Sequence, residues 1–223
     1  WAWGQNQWGG LANGTATGSS ATPVQVAGIS NAVSVSAGMD HFLVLTATGG
    51  LYGWGLSSWG QAGNGVIGVL AQSTPVKIGS DEWASAHAGG NTSFAIRKDG
   101  LLQYWGLFPG QPGAYNPGQV SNSTDKDWVM VTGGTDTSQF TNTGAVIALK
   151  KDGSLWTWGS SASGMLGRDC PPDPAGQTCR LTPGRVGTSN AWTSVSAGLF
   201  NALAMRSDGT LWTWGDNYYG EAG

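Results

Sequence analysis

The segment Ser194-Val195-Ser196-Ala197-Gly198, followed ten residues on by Asp208-Gly209-Thr210-Leu211-Trp212-Thr213-Trp214-Gly215, decides the fold. Its first part alternates apolar and small residues, the period of a strand. Asp-Gly supplies positive φ at a tight turn at little cost, so two antiparallel strands flank it. Beyond the turn, Trp212 and Trp214 fall on one face, and Leu211 and Thr213 on the other.

The same unit is written along the whole chain. Trp-Gly stands at Trp3-Gly4, Trp54-Gly55, Trp105-Gly106, Trp158-Gly159 and Trp214-Gly215, at spacings of 51, 51, 53 and 56. Earlier copies of the turn are Gly49-Gly50-Leu51-Tyr52, Asp99-Gly100-Leu101-Leu102 and Asp152-Gly153-Ser154-Leu155-Trp156. Earlier copies of the alternating run are Val33 to Gly38, Ala84 to Gly89 and Val129 to Gly133. From the closing Gly to the anchor Trp there are 16 residues in three copies and 25 in the copy that begins at Val129, an insertion of about nine. A Pro-x-x-Val/Ile element follows each of the first four anchors, at Pro23, Pro75, Pro117 and Pro183. Counted from Trp-Gly, the repeats run approximately 1–53, 54–104, 105–157 and 158–213, with the start of a fifth at 214–223.

Composition agrees with an all-β chain. Of 223 residues 38 are Gly and 13 are Trp, and charged residues make up 10%, against roughly 25% in an ordinary soluble domain. Gly interrupts almost every decade of sequence, and no amphipathic helical period appears. A sheet of three or four short strands cannot bury both faces alone, so neighbouring units must cover them. Radial stacking, a β-propeller, does so and leaves only short edges. A β-solenoid is the alternative, but its rungs are about 20–29 residues or fewer, too short for this period. Trp212 to Gly223 aligns on Trp1 to Ala12, so the chain reads as an open arc of about four blades. It opens in mid-strand and reads as a piece of something longer.

The combination Val-Ser-Ala-Gly, an apolar strand, Asp-Gly-x-Leu-Trp-x-Trp-Gly and a loop ending in Gly-x-Leu-Gly resembles the repeat of the regulator of chromosome condensation family. Val195 to Gly215 and Ala148 to Gly167 carry it best. The resemblance covers essentially the whole chain and implies a propeller of seven blades, of which this chain supplies a little over half. The loop Phe108 to Gly113 departs from the pattern, lacking the Leu-Gly ending. One fold hosts many functions, so the resemblance speaks to fold first.

The residues point away from catalysis. His41 and His87, the only histidines, lie in different repeats with no nucleophile pattern nearby. His41 reads as a repeat-encoded turn contact and His87 as a packed ring. No His/Cys/carboxylate spacing suits zinc or calcium, and no phosphate-cradling Gly-x-x-x-x-Gly-Lys-Ser/Thr occurs, so neither a cofactor nor a metal is expected. The net charge of −3 gives no footprint for nucleic acid. No run of 18 apolar residues suggests membrane insertion. Arg97-Lys98, Lys150-Lys151 and Arg206 recur just before the turn, as solvated hairpin ends.

Cys170 and Cys179, the only cysteines, bracket a Pro-rich excursion. A disulfide closing this loop favours an oxidising setting, extracellular, cell-surface or virion. Sequons at Asn13, Asn91 and Asn122 are compatible with that. The recurrent Trp54, Trp105, Trp158 and Trp214 belong to the packing between units. Trp8, Trp59, Tyr218 and Tyr219 fall instead in loops after Trp-Gly. They suit stacking on a sugar or anchoring a protein, and equally suit loop packing.

The function expected is therefore a non-enzymatic module that binds a protein or a surface glycan. The resemblance implies that partners meet loops after Ala-Gly, here Met39-Asp40, Gly90-Asn91 and Leu199-Phe200, with the insertion Gly134 to Gly144 in the same loop. The alternative is a structural subunit or spacer in a homo-oligomeric assembly such as a phage tail or surface filament. Guanine-nucleotide exchange follows from family analogy alone, and the expected disulfide and lack of a basic tail count against it.

Overall fold

The computed structural model describes residues 1–66, 69–107, 114–119, 125–135, 144–160, 164–170, 179, 182–198 and 200–221. Among these, seventeen strands form five antiparallel sheets. The first pairs β1 (Ala2–Gln5) with β2 (Ser19–Val24). The second runs β3 (Ala32–Ala37), β4 (His41–Thr46), β5 (Leu51–Leu56) and β6 (Ala71–Lys77). The third runs β7 (Trp83–Gly89), β8 (Thr92–Arg97), β9 (Leu102–Gly106) and β10 (Ala114–Gln119). The fourth runs β11 (Trp128–Thr135), β12 (Gly144–Lys150), β13 (Leu155–Gly159) and β14 (Gly184–Arg185). The fifth holds β15 (Trp192–Ala197), β16 (Asn201–Arg206) and β17 (Leu211–Gly215).

Within each sheet the strands lie in chain order. The alternating run forms the first strand of sheets two to five, and β3, β7, β11 and β15 touch one another in succession. They line the axis, and the sheets radiate from it as propeller blades. The Pro-bearing strands β2, β6 and β10 lie at the outer edge, where a residue without an N–H costs no ladder bond. A register shift recurs at the start of each of the four first strands, between Ala32 and Ser34, Trp83 and Ser85, Trp128 and Met130, and Trp192 and Ser194. The repetition marks a bulge built into the blade.

The sheet does not run from one Trp-Gly to the next. The repeat bounds at 53/54, 104/105, 157/158 and 213/214 fall inside β5, β9, β13 and β17. Periodicity fixes the length of a repeat; only strand pairing fixes where the sheet begins.

The core lies between blades. Leu43, Leu45, Leu51 and Ile78 of the second blade meet Trp83, Ala95 and Trp105 of the third. Phe94, Ile96 and Leu102 meet Trp128, Val146 and Trp158 of the fourth. Ile147, Leu149 and Leu155 meet Trp192, Val195 and Ala204 of the fifth. The alternation along β13 thus sends Trp156 and Trp158 toward one neighbour and Leu155 toward the other. Each fully buried Leu or Ile contributes about 1.5–3 kcal/mol. Three of the anchor tryptophans add a directed bond to the preceding blade. Trp54 Nε1 donates to Gly10 O at 2.9 Å, Trp105 Nε1 to Gln61 O at 3.0 Å, and Trp214 Nε1 to Met165 O at 2.9 Å. At both ends of the arc apolar side chains remain exposed, including Trp3 and Val35 on one flank and Leu203 and Leu211 on the other.

Candidate functional site

The blades have two unlike ends. The Asp-Gly hairpins define a turn end. The loops after Ala-Gly and after Trp-Gly gather at the opposite, loop end, where all the sequence-predicted binding residues fall.

Backbone chemistry builds the loop end. The Gly of each Trp-Gly pair has positive φ, +101° at Gly55, +91° at Gly106, +114° at Gly159 and +113° at Gly215. A Cβ there would overlap the carbonyl oxygen of Asp40, Asn91, Gly144 or Phe200 respectively. The next residue's N–H bonds that same carbonyl: Leu56 to Asp40 at 2.7 Å, Leu107 to Asn91 at 2.9 Å, Ser160 to Gly144 at 2.7 Å and Asp216 to Phe200 at 2.8 Å. Glycine is required for this approach, and the approach pins the Ala-Gly loop.

On this frame the predicted residues divide. Met39 is 57% and Phe200 40% exposed, while the Met39 N–H donates to Gly90 O in the next blade at 3.0 Å. Asp40 is half-buried. Asn91 departs from its companions: it is 9% exposed and its Oδ1 accepts from Gln61 Nε2 at 3.2 Å. It serves as a strut between blades. That burial also closes its sequon, whereas Asn13 is exposed. Leu199, residues 136–143 of the insertion, Asn122 and the loop 108–113 lie outside the described residues.

Trp8 and Trp59 sit at the same point of successive repeats, and Tyr219 at the matching point of the last. Trp8 is half-buried and Trp59 more exposed. Tyr218 and Tyr219 are 80% and 86% exposed, edge-to-face on each other with centroids 4.7 Å apart. Their N–H groups are held by the Asp216 and Glu221 carboxylates at 3.1 and 2.9 Å.

His41 is fully buried beneath this end. Its Nε2 lies 2.9 Å from Ser93 Oγ across the blade boundary. Burial first, and then the proximity of His87, hold its pKa at about 3, so the ring is neutral. His87 Nε2 lies 3.4 Å from Gly133 O, and burial lowers its pKa also. Both rings are packing elements. Cys170 and Cys179 are disulfide-bonded, and buried Cys179 packs on Ala145, Met165 and Leu166. A crosslink over so short a loop contributes about 2–3 kcal/mol by the loop-entropy argument.

The turn end is where the charges are. Arg97 meets Asp81 at 3.3 Å, Lys98 meets Glu82 at 2.8 Å, and Lys126 meets Asp99 at 2.9 Å. Lys150 meets Asp125 at 2.6 Å and Asp127 at 3.1 Å. The sequence suggested solvated hairpin ends here, and Lys150 corrects that. It is largely buried, with Nζ 4.7 Å from the Trp128 ring and 4.8 Å from the Trp156 ring. Burial works against its charge. Hydrogen bonds and attraction from Asp125 and Asp127 outweigh it and hold the pKa above the ordinary lysine value. Among the described residues no group of three or more His, Cys, Asp and Glu could hold a metal.

The regulator of chromosome condensation (RCC1) repeat matches residues 32–61 and 192–221 in one form, and 1–45 and 152–205 in another. The chain is 28% identical over 232 residues to the ultraviolet-B receptor UVR8 of Arabidopsis thaliana, across 100% of this chain and 50% of that protein. It is 26% identical over 199 residues to the E3 ubiquitin-protein ligase HERC2 of Homo sapiens, across 85% of this chain and 4% of that one. Prp20p from Saccharomyces cerevisiae superimposes with a TM-score of 0.80 at 20% identity, covering 99% of this chain and 54% of that one. Human WBSCR16 gives 0.76 at 22% identity, covering 98% and 57%. The chain thus spans half or less of the two curated relatives, and the structural likeness establishes the β-propeller fold.

Proposed function

We propose, from the premise that this chain belongs to the regulator of chromosome condensation (RCC1) repeat family, that it captures a partner protein with the side chains of its loop end and performs no chemistry itself. At the coarser level it is an RCC1-like protein-interaction or regulatory module. The observation that carries the finer reading is the division of labour at the loop end. Carbonyls and N–H groups of the Ala-Gly loops hold the blades, leaving Met39 and Phe200 exposed on a fixed backbone. Exposed apolar and aromatic side chains on a rigid frame suit binding anchors. The work on Prp20p describes binding to Gsp1p and histones, which supports a protein as the class of partner. HERC2 is a ligase, but the match covers 4% of it, so that activity is not carried over.

The test is capture from a lysate of the source organism by the immobilised chain, with Met39→Ser/Phe200→Ser as the loop-end variant and Lys98→Ser as the turn-end control. Loss of a specific bound protein in the first and retention in the second is expected. Equal capture by both variants overturns the assignment. Tyr218 and Tyr219 also suit a surface glycan, and a glycan array read with Tyr219→Ala separates that source.

The disulfide supports placing the protein in an oxidising compartment, extracellular or on a cell or virion surface. Alkylation of the protein as isolated from its source checks this, and two reactive thiols reject it. A second reading, a subunit of a multi-copy assembly, is favoured by the low share of charged residues, 10%, which suits dense packing. Light scattering at native concentration decides it, a monomer counting against assembly.

A further inference from the structure

Three blades place a cation at the end of their second strand, just before the turn: Arg97, Lys150 and Arg206. In two of them the link entering the blade brings its own carboxylates. Asp81 reaches Arg97, and Asp125 and Asp127 reach Lys150. Backbone bonds fix the correspondence between blades. The carbonyls of Glu82, Asp127 and Ala191 accept the N–H groups of Lys98, Lys151 and Ser207 respectively. Ser189 and Ala191 therefore stand where Asp125 and Asp127 stand one blade earlier.

Arg206 keeps the aromatic half of the arrangement and lacks the acidic half. Its guanidinium carbon lies 4.5 Å from the Trp192 ring centroid and 4.1 Å from that of Trp212, as Lys150 lies between Trp128 and Trp156. Its side chain has no hydrogen-bond or ion-pair partner among the described residues. Both Arg206 Nε and Trp192 Nε1 are buried donors without an acceptor among the described residues. Such donors are costly unless something supplies one. The two residues line a groove of about 350 Å3 between the fourth and fifth blades, with Leu155, Val186, Ser189 and Trp212. The groove lies on the side of the fifth blade that faces the fourth, away from the exposed flank.

We propose that this groove docks an aspartate or glutamate side chain of a partner protein, whose carboxylate takes the place on Arg206 that Asp125 and Asp127 take on Lys150. The chain itself shows that a carboxylate suits a cation held between two indoles at this position. Arg206 is the one cation among the described residues that line the groove, so a singly charged carboxylate matches it better than a doubly charged phosphate. The site is at the turn end and stands independently of the loop-end reading.

The experiment follows the indole Nε1–H resonance of Trp192 in the full chain as three probes are titrated: a capped Gly-Glu-Gly peptide, its Gly-Gln-Gly analogue and inorganic phosphate. The glutamate peptide is expected to shift the resonance saturably, with the other two at least about tenfold weaker, the worth of one charge-assisted hydrogen bond. Ala191→Asp returns a carboxylate to the chain's own link while leaving Arg206 in place, and is expected to weaken the glutamate peptide by about tenfold or more. Arg206→Gln is expected to abolish its effect. No saturable shift, an equal response to the glutamine peptide or to phosphate, or an undiminished response in Ala191→Asp overturns the proposal. Because Ala191→Asp keeps the cation and both rings, a folding failure of Arg206→Gln does not shelter the idea.

Discussion

The turn end and the loop end are held together by different physics. At the turn end, hairpins meet the links between blades through ion pairs such as Lys98–Glu82 and Lys126–Asp99, on side chains open to water. Such pairs contribute little and weaken with salt. At the loop end, buried carbonyls accept from indole and backbone donors of the neighbouring blade or the adjoining strand. Cohesion there resides in main chain and buried rings, so exposed side chains at that end can vary without loosening the blades. The water-exposed ion-paired charges of the turn end are therefore poorer candidates for binding than the loop end, and Arg206, which has no such ion pair among the described residues, stands apart from them.

Trp105→Ala strikes the loop-end mechanism hardest. The ring is fully buried, fills the boundary between the second and third blades and donates to Gln61 O. Denaturant unfolding should show a loss of about 3–5 kcal/mol. Gly106→Ala comes next. The +91° φ and the Asn91 carbonyl both oppose a Cβ, for an expected loss of about 1–3 kcal/mol. A cost near zero would mean that the Ala-Gly loop is not pinned as described.

The third prediction concerns pH. The His41 pKa of about 3 lies below its ordinary value of 6.5, so the unfolded chain binds a proton that the folded chain refuses. Stability is then complete above pH 6.5 and falls as pH drops toward 3, by about 1.4 kcal/mol per unit at most. His87, whose pKa burial also lowers, adds in the same direction. His41→Asn, the residue at the matching place in the fifth blade, should flatten the His41 share of an unfolding-versus-pH profile. A slope unchanged in that variant would remove His41 as its source. The smallest effect is at the turn end. Lys98→Ala should leave the thermal midpoint within error, and a loss rivalling that of Gly106→Ala would break the contrast between the ends.

Much of the blade was legible in sequence because its signals are local. Asp99-Gly100 and Asp152-Gly153 specify turns, and Trp156 and Trp158 share a face because a strand alternates. The candidate site was legible only in outline. Met39 and Phe200 were singled out by their place after Ala-Gly, and the structure exposes both. Asn91 occupies the same place and is buried, because Gln61, thirty residues away, reaches it from the preceding blade's loop. The setting of Lys150 was missed although a signal existed. A Trp opens its first strand and another lies two residues before the anchor Trp, and only strand pairing brings both over the cation.

The sequence by itself determined the repeat, the strand character of its parts and the turns between them, since each is set by steric and hydrogen-bonding preferences within a few residues. Where each sheet begins, which polar groups are buried between blades and which cation lacks a carboxylate were decided only in three dimensions. Those depend on contacts such as Trp105 to Gln61, 44 residues apart, and residues that far apart are juxtaposed by the packing of whole blades.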